Sequence, residues 1–317
     1  MPLDPQAEIL IGLVKQAGLP EFWQLTPSQA RDQFALRVQK TAVKATIHRT
    51  EDRHIPGPGS DIAIRIYWPR EPKPAELLPV LLWFHGGGFV IGDLDTHDSA
   101  CRLLANQADC MVVAVDYRLA PEFKFPAAVE DSHAAVRWVA LHAKEIGADP
   151  ERIAVGGDSA GANLATVVAI LARNEGHPKL AFQLLVYPCT APEPEMPSQR
   201  KFAEGYLLTR NSIVWFYQQY LRNQRDTKDF RFAPLVADDL SSLPPALVLV
   251  AGYDPLRDEG VEYARRLIEA GNRVLLVNYE GMTHGFFLAG GVLDAAKRAV
   301  AQSAAALREA FAQAAKA

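Results

Sequence analysis

Cysteine is scarce. The 317-residue chain has 3, at positions 101, 110 and 189. They are odd in number and far apart, with no CxxC pair and no histidine cluster at ligand spacing. A disulfide framework and a zinc site are therefore excluded as organising devices, and small buried apolar thiols in a reducing compartment are expected. Long hydrophobic runs are also missing. The longest, such as Leu77 to Phe84, is too short to span a bilayer, and Met1-Pro2-Leu3-Asp4-Pro5 lacks the basic and apolar regions of a secretory signal. The expected location is cytoplasmic. Neither sign of charge dominates, with 33 Lys+Arg against 37 Asp+Glu and a net charge of −4. A nucleic-acid partner, which demands a basic surface, is not expected.

What is present is a well-mixed globular composition, 49% hydrophobic and 22% charged. A chain of this length can bury a large core unaided. Ile9, Leu10, Leu13 and Val14 recur at helical spacing before Gly18, and a second helix is predicted from Pro27 to Lys40 with Thr26 as its cap. Ile62, Ile64, Ile66 and Trp68 alternate with polar residues, as in a half-exposed antiparallel strand.

From Pro79 the pattern changes to unbroken apolar runs: Val80–Phe84, Met111–Asp116, Ile153–Gly156, Phe182–Tyr187, Ala246–Gly252 and Val274–Tyr279. Such runs suit strands buried on both faces. Helical stretches between most of them predict a mainly parallel central sheet covered on both sides, an α/β fold. Nearly sixty residues separate Tyr187 from Ala246, too many for an ordinary connection, and an aromatic helix lies among them. The expected division is an N-terminal helical cap segment (1–50), a first core part (51–187), a cap insertion (188–240) and a second core part (241–317).

Gly157-Asp158-Ser159-Ala160-Gly161 joins a strand to a helix. A serine on that tight turn is exposed at the sheet edge, with glycines that allow strand and helix to approach, as in a nucleophile elbow. His85-Gly86-Gly87-Gly88 follows the strand Val80–Phe84 and supplies a backbone whose amides can face an oxyanion, together with the amide of Ala160. No GK[ST] follows, so a phosphate loop is not indicated. A base and an acid should follow the serine. Of the two later histidines, His177 sits at a solvated helix end before Pro178, whereas His284 follows the strand Val274–Tyr279. Asp254 is preferred as the acid over Asp258, because it is nearer the end of the strand Ala246–Gly252, while Asp258 and Glu259 fall where helix dipoles attract carboxylates anyway.

Together, His85-Gly86-Gly87-Gly88, Gly157-Asp158-Ser159-Ala160-Gly161, Asp254-Pro255-Leu256 and His284-Gly285-Phe286 resemble the hormone-sensitive-lipase-like carboxylesterases. Tyr117-Arg118-Leu119-Ala120-Pro121-Glu122 is similar to a further stretch of that family. The resemblance runs from about Ile62 to the C-terminus. It implies an α/β-hydrolase core, a helical cap, and hydrolysis of small-molecule esters with short to medium acyl chains. Ser159, His284 and Asp254 would form the triad, Gly87 and Gly88 match the family's oxyanion donors, and no metal or cofactor is needed. Homodimers are frequent in that family. His85 and Asp158 are expected to be supporting residues, as are His97 and Asp98. Phe89, Tyr187, Leu207, Phe216 and Phe286 are expected to line an apolar acyl site. The same triad also suits lactones, carbamates or activated amides, and the fold also serves ligand-binding proteins that have lost the histidine.

Overall fold

The computed structural model describes residues 2–316. Its frame is one eight-stranded sheet in the order β1-β2-β4-β3-β5-β6-β7-β8. The strands are β1 (Arg49–Ile55), β2 (Ile62–Trp68), β3 (Leu78–Phe84), β4 (Met111–Asp116), β5 (Ala148–Asp158), β6 (Leu180–Val186), β7 (Ala246–Tyr253) and β8 (Val274–Thr283). β1 and β2 pair antiparallel, β2 runs antiparallel to β4, and every pairing from β4 onward is parallel.

Side-chain alternation divides β3 between two cores. Val80, Leu82 and Phe84 pack with α4 (Ala127–Ile146), α5 (Ala160–Glu175) and α8 (Arg257–Glu269). Leu81 and Trp83 pack on the opposite face with α3 (Asp98–Ala108) and α9 (Asp294–Ala314). Burial on both faces is the reason this strand shows no polar alternation in sequence. Cys101, Cys110 and Cys189 are buried and unpaired, and burial raises each thiol pKa.

Two strand expectations need correction. β1 has no apolar pattern (Arg-Thr-Glu-Asp-Arg-His-Ile), yet it pairs with β2 along seven residues and begins within the segment expected to be helical. As an outer strand it presents charged side chains, among them Glu51 paired with Arg49 and Arg53, that discourage edge-to-edge association. At the other edge, β8 is only partly covered, with Leu275 53% exposed and Leu276 37% exposed. An apolar run there reflects β-propensity rather than burial on both faces.

Before the sheet come α1 (Pro5–Gln16) and α2 (Pro27–Thr41). Thr26 caps α2 as expected, accepting from the amide of Gln29. Between β6 and β7 lie the short α6 (Pro197–Lys201) and the aromatic α7 (Arg210–Tyr220). Among the described residues no helix is long and apolar enough to cross a membrane.

Candidate active site

The order of the sheet determines where chemistry can gather. The chain leaves β3 for β4 on one side, then returns past β3 to lay β5 on its other side, creating a switch point where loops diverge and leave a crevice. Phe84 is paired with Gly157 across β3 and β5. The glycine loop and Ser159 therefore leave the sheet side by side. Tyr187, Asp254 and His284 leave the same edge, at the ends of β6, β7 and β8.

Ser159 has φ 56° and ψ −118°, a conformation that costs a non-glycine residue strain. Its amide donates to Val186 O at 2.8 Å, and α5 begins with the next residue. These contacts hold the turn in its strained form, with the hydroxyl lifted clear of the strand. His284 Nε2 lies 2.9 Å from Ser159 Oγ, and His284 Nδ1 lies 2.7 Å from Asp254 Oδ2. Asp254 is completely buried, and its other oxygen accepts from the Leu256 amide at 2.8 Å. Asp258 is elsewhere: its carboxylate accepts from the Ser198 amide and from Arg257, tying α8 to the start of α6.

The glycine loop is shaped from two sides. Gly87 and Gly88 have φ of +122° and +60°, and a Cβ at Gly88 would collide with the Phe216 ring. The amides of Gly87, Gly88 and Ala160 have no protein acceptor among the described residues. Asp158, 3% exposed, holds the loop from below. Its Oδ1 accepts from the Gly86 amide at 3.0 Å and lies 3.1 Å from His97 Nε2. His85 stacks on Tyr117 at 4.2 Å, and the Tyr117 hydroxyl donates to His85 O at 2.7 Å. Burial lowers the His85 pKa to about 4, which keeps the ring neutral and structural. Asp98 does not join this group: it accepts from Tyr67 and Arg102 at the start of α3.

Above the serine lies a cleft open to solvent. Phe89, Leu207, Phe216 and Phe286 line it, whereas Tyr187 does not. Tyr187 is packed beneath His284, with ring centroids 4.5 Å apart, because its backbone amide is still bonded to Leu249 O and keeps the ring in the core. The sequence reading did not name the walls supplied by α1 and α2: Leu10, Val14, Phe34, Arg37, Val38 and Thr41. The 34, 37, 38, 41 spacing on one helical face was the available signal.

Another residue acquires a role only in the fold. Glu259, completely buried in the first turn of α8, accepts from the Thr190 amide at 2.7 Å and from Gln199 Nε2 at 2.9 Å. Burial pushes its pKa up to about 8, against the opposing pull of the backbone donors. It ties both α6 and the loop after β6 to the core.

A family model described as an alpha/beta hydrolase fold matches residues 81–288. The chain is 48% identical over 262 residues to the esterase LipI of Mycobacterium tuberculosis, covering 82% of each chain. It is 37% identical to an arylesterase of Saccharolobus solfataricus, covering 90% of this chain and 92% of the relative. A solved hyperthermophilic esterase from the archaeon Pyrobaculum calidifontis superposes with a TM-score of 0.92 at 44% identity, covering 98% of this chain and 99% of the other.

Proposed function

This chain belongs to the α/β-hydrolase family, in its hormone-sensitive-lipase-like branch, and we propose that it cleaves esters by a serine acyl-transfer mechanism. It is a carboxylesterase; the residues that perform the reaction and the chain length of the acyl group are our reading. The observation that carries the mechanism is the unbroken line Asp254–His284–Ser159, with spacings of 2.7 and 2.9 Å.

Ser159 Oγ attacks the ester carbonyl as its proton passes to His284 Nε2. Asp254 accepts from Nδ1–H, which fixes the tautomer and stabilises the imidazolium that forms. The carbonyl oxygen becomes an oxyanion, received by the amides of Gly87, Gly88 and Ala160. Each well-placed donor contributes about 3 kcal/mol to transition-state stabilisation. Collapse of the tetrahedral intermediate breaks the C–O bond, and His284 returns its proton to the leaving alcohol. Water, deprotonated by His284, then attacks the acyl-serine, releasing the acid and restoring the hydroxyl.

The helices α1 and α2, together with the insertion that carries α6 and α7, act as the cap over this centre. Supporting this, α1, α2 and α7 contribute side chains to the cleft that holds Ser159. Phe89, Leu207, Phe216 and Phe286 favour an apolar acyl group of short to medium length. The full set of His284, Asp254 and Ser159 favours an enzyme over a binding protein built on the same fold. The test is hydrolysis of p-nitrophenyl esters from acetate to palmitate by wild type and Ser159→Ala. Fast turnover of the shorter chains, lost by a factor of about 10⁴ or more in a folded variant, is expected. A variant close to the wild-type rate sinks the assignment.

A further inference from the structure

The acyl-transfer reading leaves one charged side chain in the cleft without employment. Arg37, on α2, lines the same cavity as Ser159, His284 and the glycine loop. Among the described residues its guanidinium has neither a hydrogen-bond acceptor nor an ion-pair partner. The chain's other cleft-facing charge is already engaged, since Asp158 is committed to Gly86 and His97. Nothing on α2 is placed to neutralise Arg37 either. The neighbours one turn away on the helix are Gln33 and Phe34 before it and Lys40 and Thr41 after it, none of them acidic. It lies over Phe22, with the guanidinium carbon 5.6 Å from the ring centroid.

A partly buried arginine without a counter-ion loses hydration that no acceptor replaces, and this desolvation lowers its pKa. Elsewhere in this protein arginines of comparable burial are paired: Arg65 with Asp52, Arg118 with Asp131, and Arg31 with Glu122. Arg37 has no such partner among the described residues, and it faces the substrate cleft. Its place relative to the reacting centre follows from a row of rings. Phe216 rests on Gly88 of the glycine loop, Phe22 lies 5.7 Å from Phe216, and Arg37 sits over Phe22. The cation is therefore at the far end of an apolar wall two rings long that starts at the glycine loop.

We propose that Arg37 is a substrate-binding residue that receives the carboxylate of an ester bearing an acid group at the far end of one arm. The apolar wall accommodates the methylenes, and the guanidinium fork bonds the terminal carboxylate. The group bound is remote from the scissile bond, so its effect falls chiefly on KM. This rests on the esterase reading of the same cleft, and the experiment separates the two.

Initial rates are measured for mono-p-nitrophenyl esters of glutarate, adipate and suberate, each against its methyl-capped neutral counterpart, at low salt and at 0.5 M NaCl. A second arm uses 4-acetoxybutyrate and 6-acetoxyhexanoate against their amides, followed by pH-stat, and so places the acid on the alcohol side. Wild type should favour the anionic member at one or more spacer lengths in one arm, with a preference that weakens in high salt. In Arg37→Met the anionic-to-neutral ratio of kcat/KM should fall by about tenfold or more, with partial recovery in Arg37→Lys. Preference for the neutral member at every length in both arms overturns the proposal, as does a ratio unchanged in Arg37→Met. No turnover of the neutral esters by folded wild type would instead overturn the esterase reading beneath it.

Discussion

Asp158 offers the most informative single perturbation, because it stands one residue before the proposed nucleophile and bonds the glycine loop through Gly86. Replacing it with alanine removes the charged acceptor of the buried Gly86 amide, which keeps only His97 Nε2 at 3.2 Å, and one partner of His97, two contacts of 3.0 and 3.1 Å. Hydrogen bonds to a charged group contribute about 1.5–3 kcal/mol each, so about 3–6 kcal/mol of stability should be lost. For a chain of this size that lowers Tm by roughly 5–10 °C. The chemical consequence is separate. Gly86 begins the loop that presents Gly87 and Gly88, and a complete loss of one oxyanion donor costs about 10²–10³ in rate. A loop merely released from Asp158 should lose about tenfold to a hundredfold in kcat. Because these donors act on the transition state, KM should stay within about twofold. The assay is p-nitrophenyl acetate hydrolysis normalised to titrated active sites, with a thermal melt in parallel. A melt that drops while kcat per titrated site stays at the wild-type value would falsify the claim that Asp158 aims the oxyanion loop.

Two further outcomes follow from the same geometry. Asp254→Asn should cut kcat by about 10³–10⁴, because an amide cannot hold the histidine in the required tautomer. Asp258→Asn, which loosens the contacts with Ser198 and Arg257 and none with His284, should change kcat by less than about tenfold; the reverse ranking rules out Asp254 as the acid. Glu259 carries a stability dependence on pH. Its pKa is raised from 4.5 to about 8 on folding, so the folded state binds the extra proton between those values. Its contribution is then whole below about pH 4.5 and is lost as pH rises to about 8, at up to about 1.4 kcal/mol per unit. Urea midpoints at pH 5, 6, 7 and 8 should show Glu259→Gln gaining on wild type as pH rises. A constant gap across that range contradicts the raised pKa.

How much of this was written in the chain itself depends on whether the signal was local. Ser159 was legible because a strand, a tight glycine-flanked turn and a helix are consecutive, and backbone sterics there admit few residue types. His284 and Asp254 were legible because each directly follows an apolar strand, and parallel strands in such a sheet deliver their ends to one edge. The buried strands announced themselves through unbroken apolar runs. β1 did not, since an edge strand has one partner, needs no apolar alternation and gains from charge. β8 misled for the complementary reason, keeping strand-forming residues at a half-covered edge.

Tertiary structure alone decided the rest. Tyr187 looked like a cleft residue by its place after β6, yet its backbone bond to Leu249 turns the ring under His284. Glu259 looked like an ordinary first-turn carboxylate until the insertion folded back on α8 and enclosed it among the donors of Thr190 and Gln199. Arg37 lies over a hundred residues from the serine in sequence, and only the packing of α2 over the sheet edge brings both to one cleft. Motifs record what neighbouring residues must do to the backbone. The environment of a charge is determined by segments that meet only when the chain is folded.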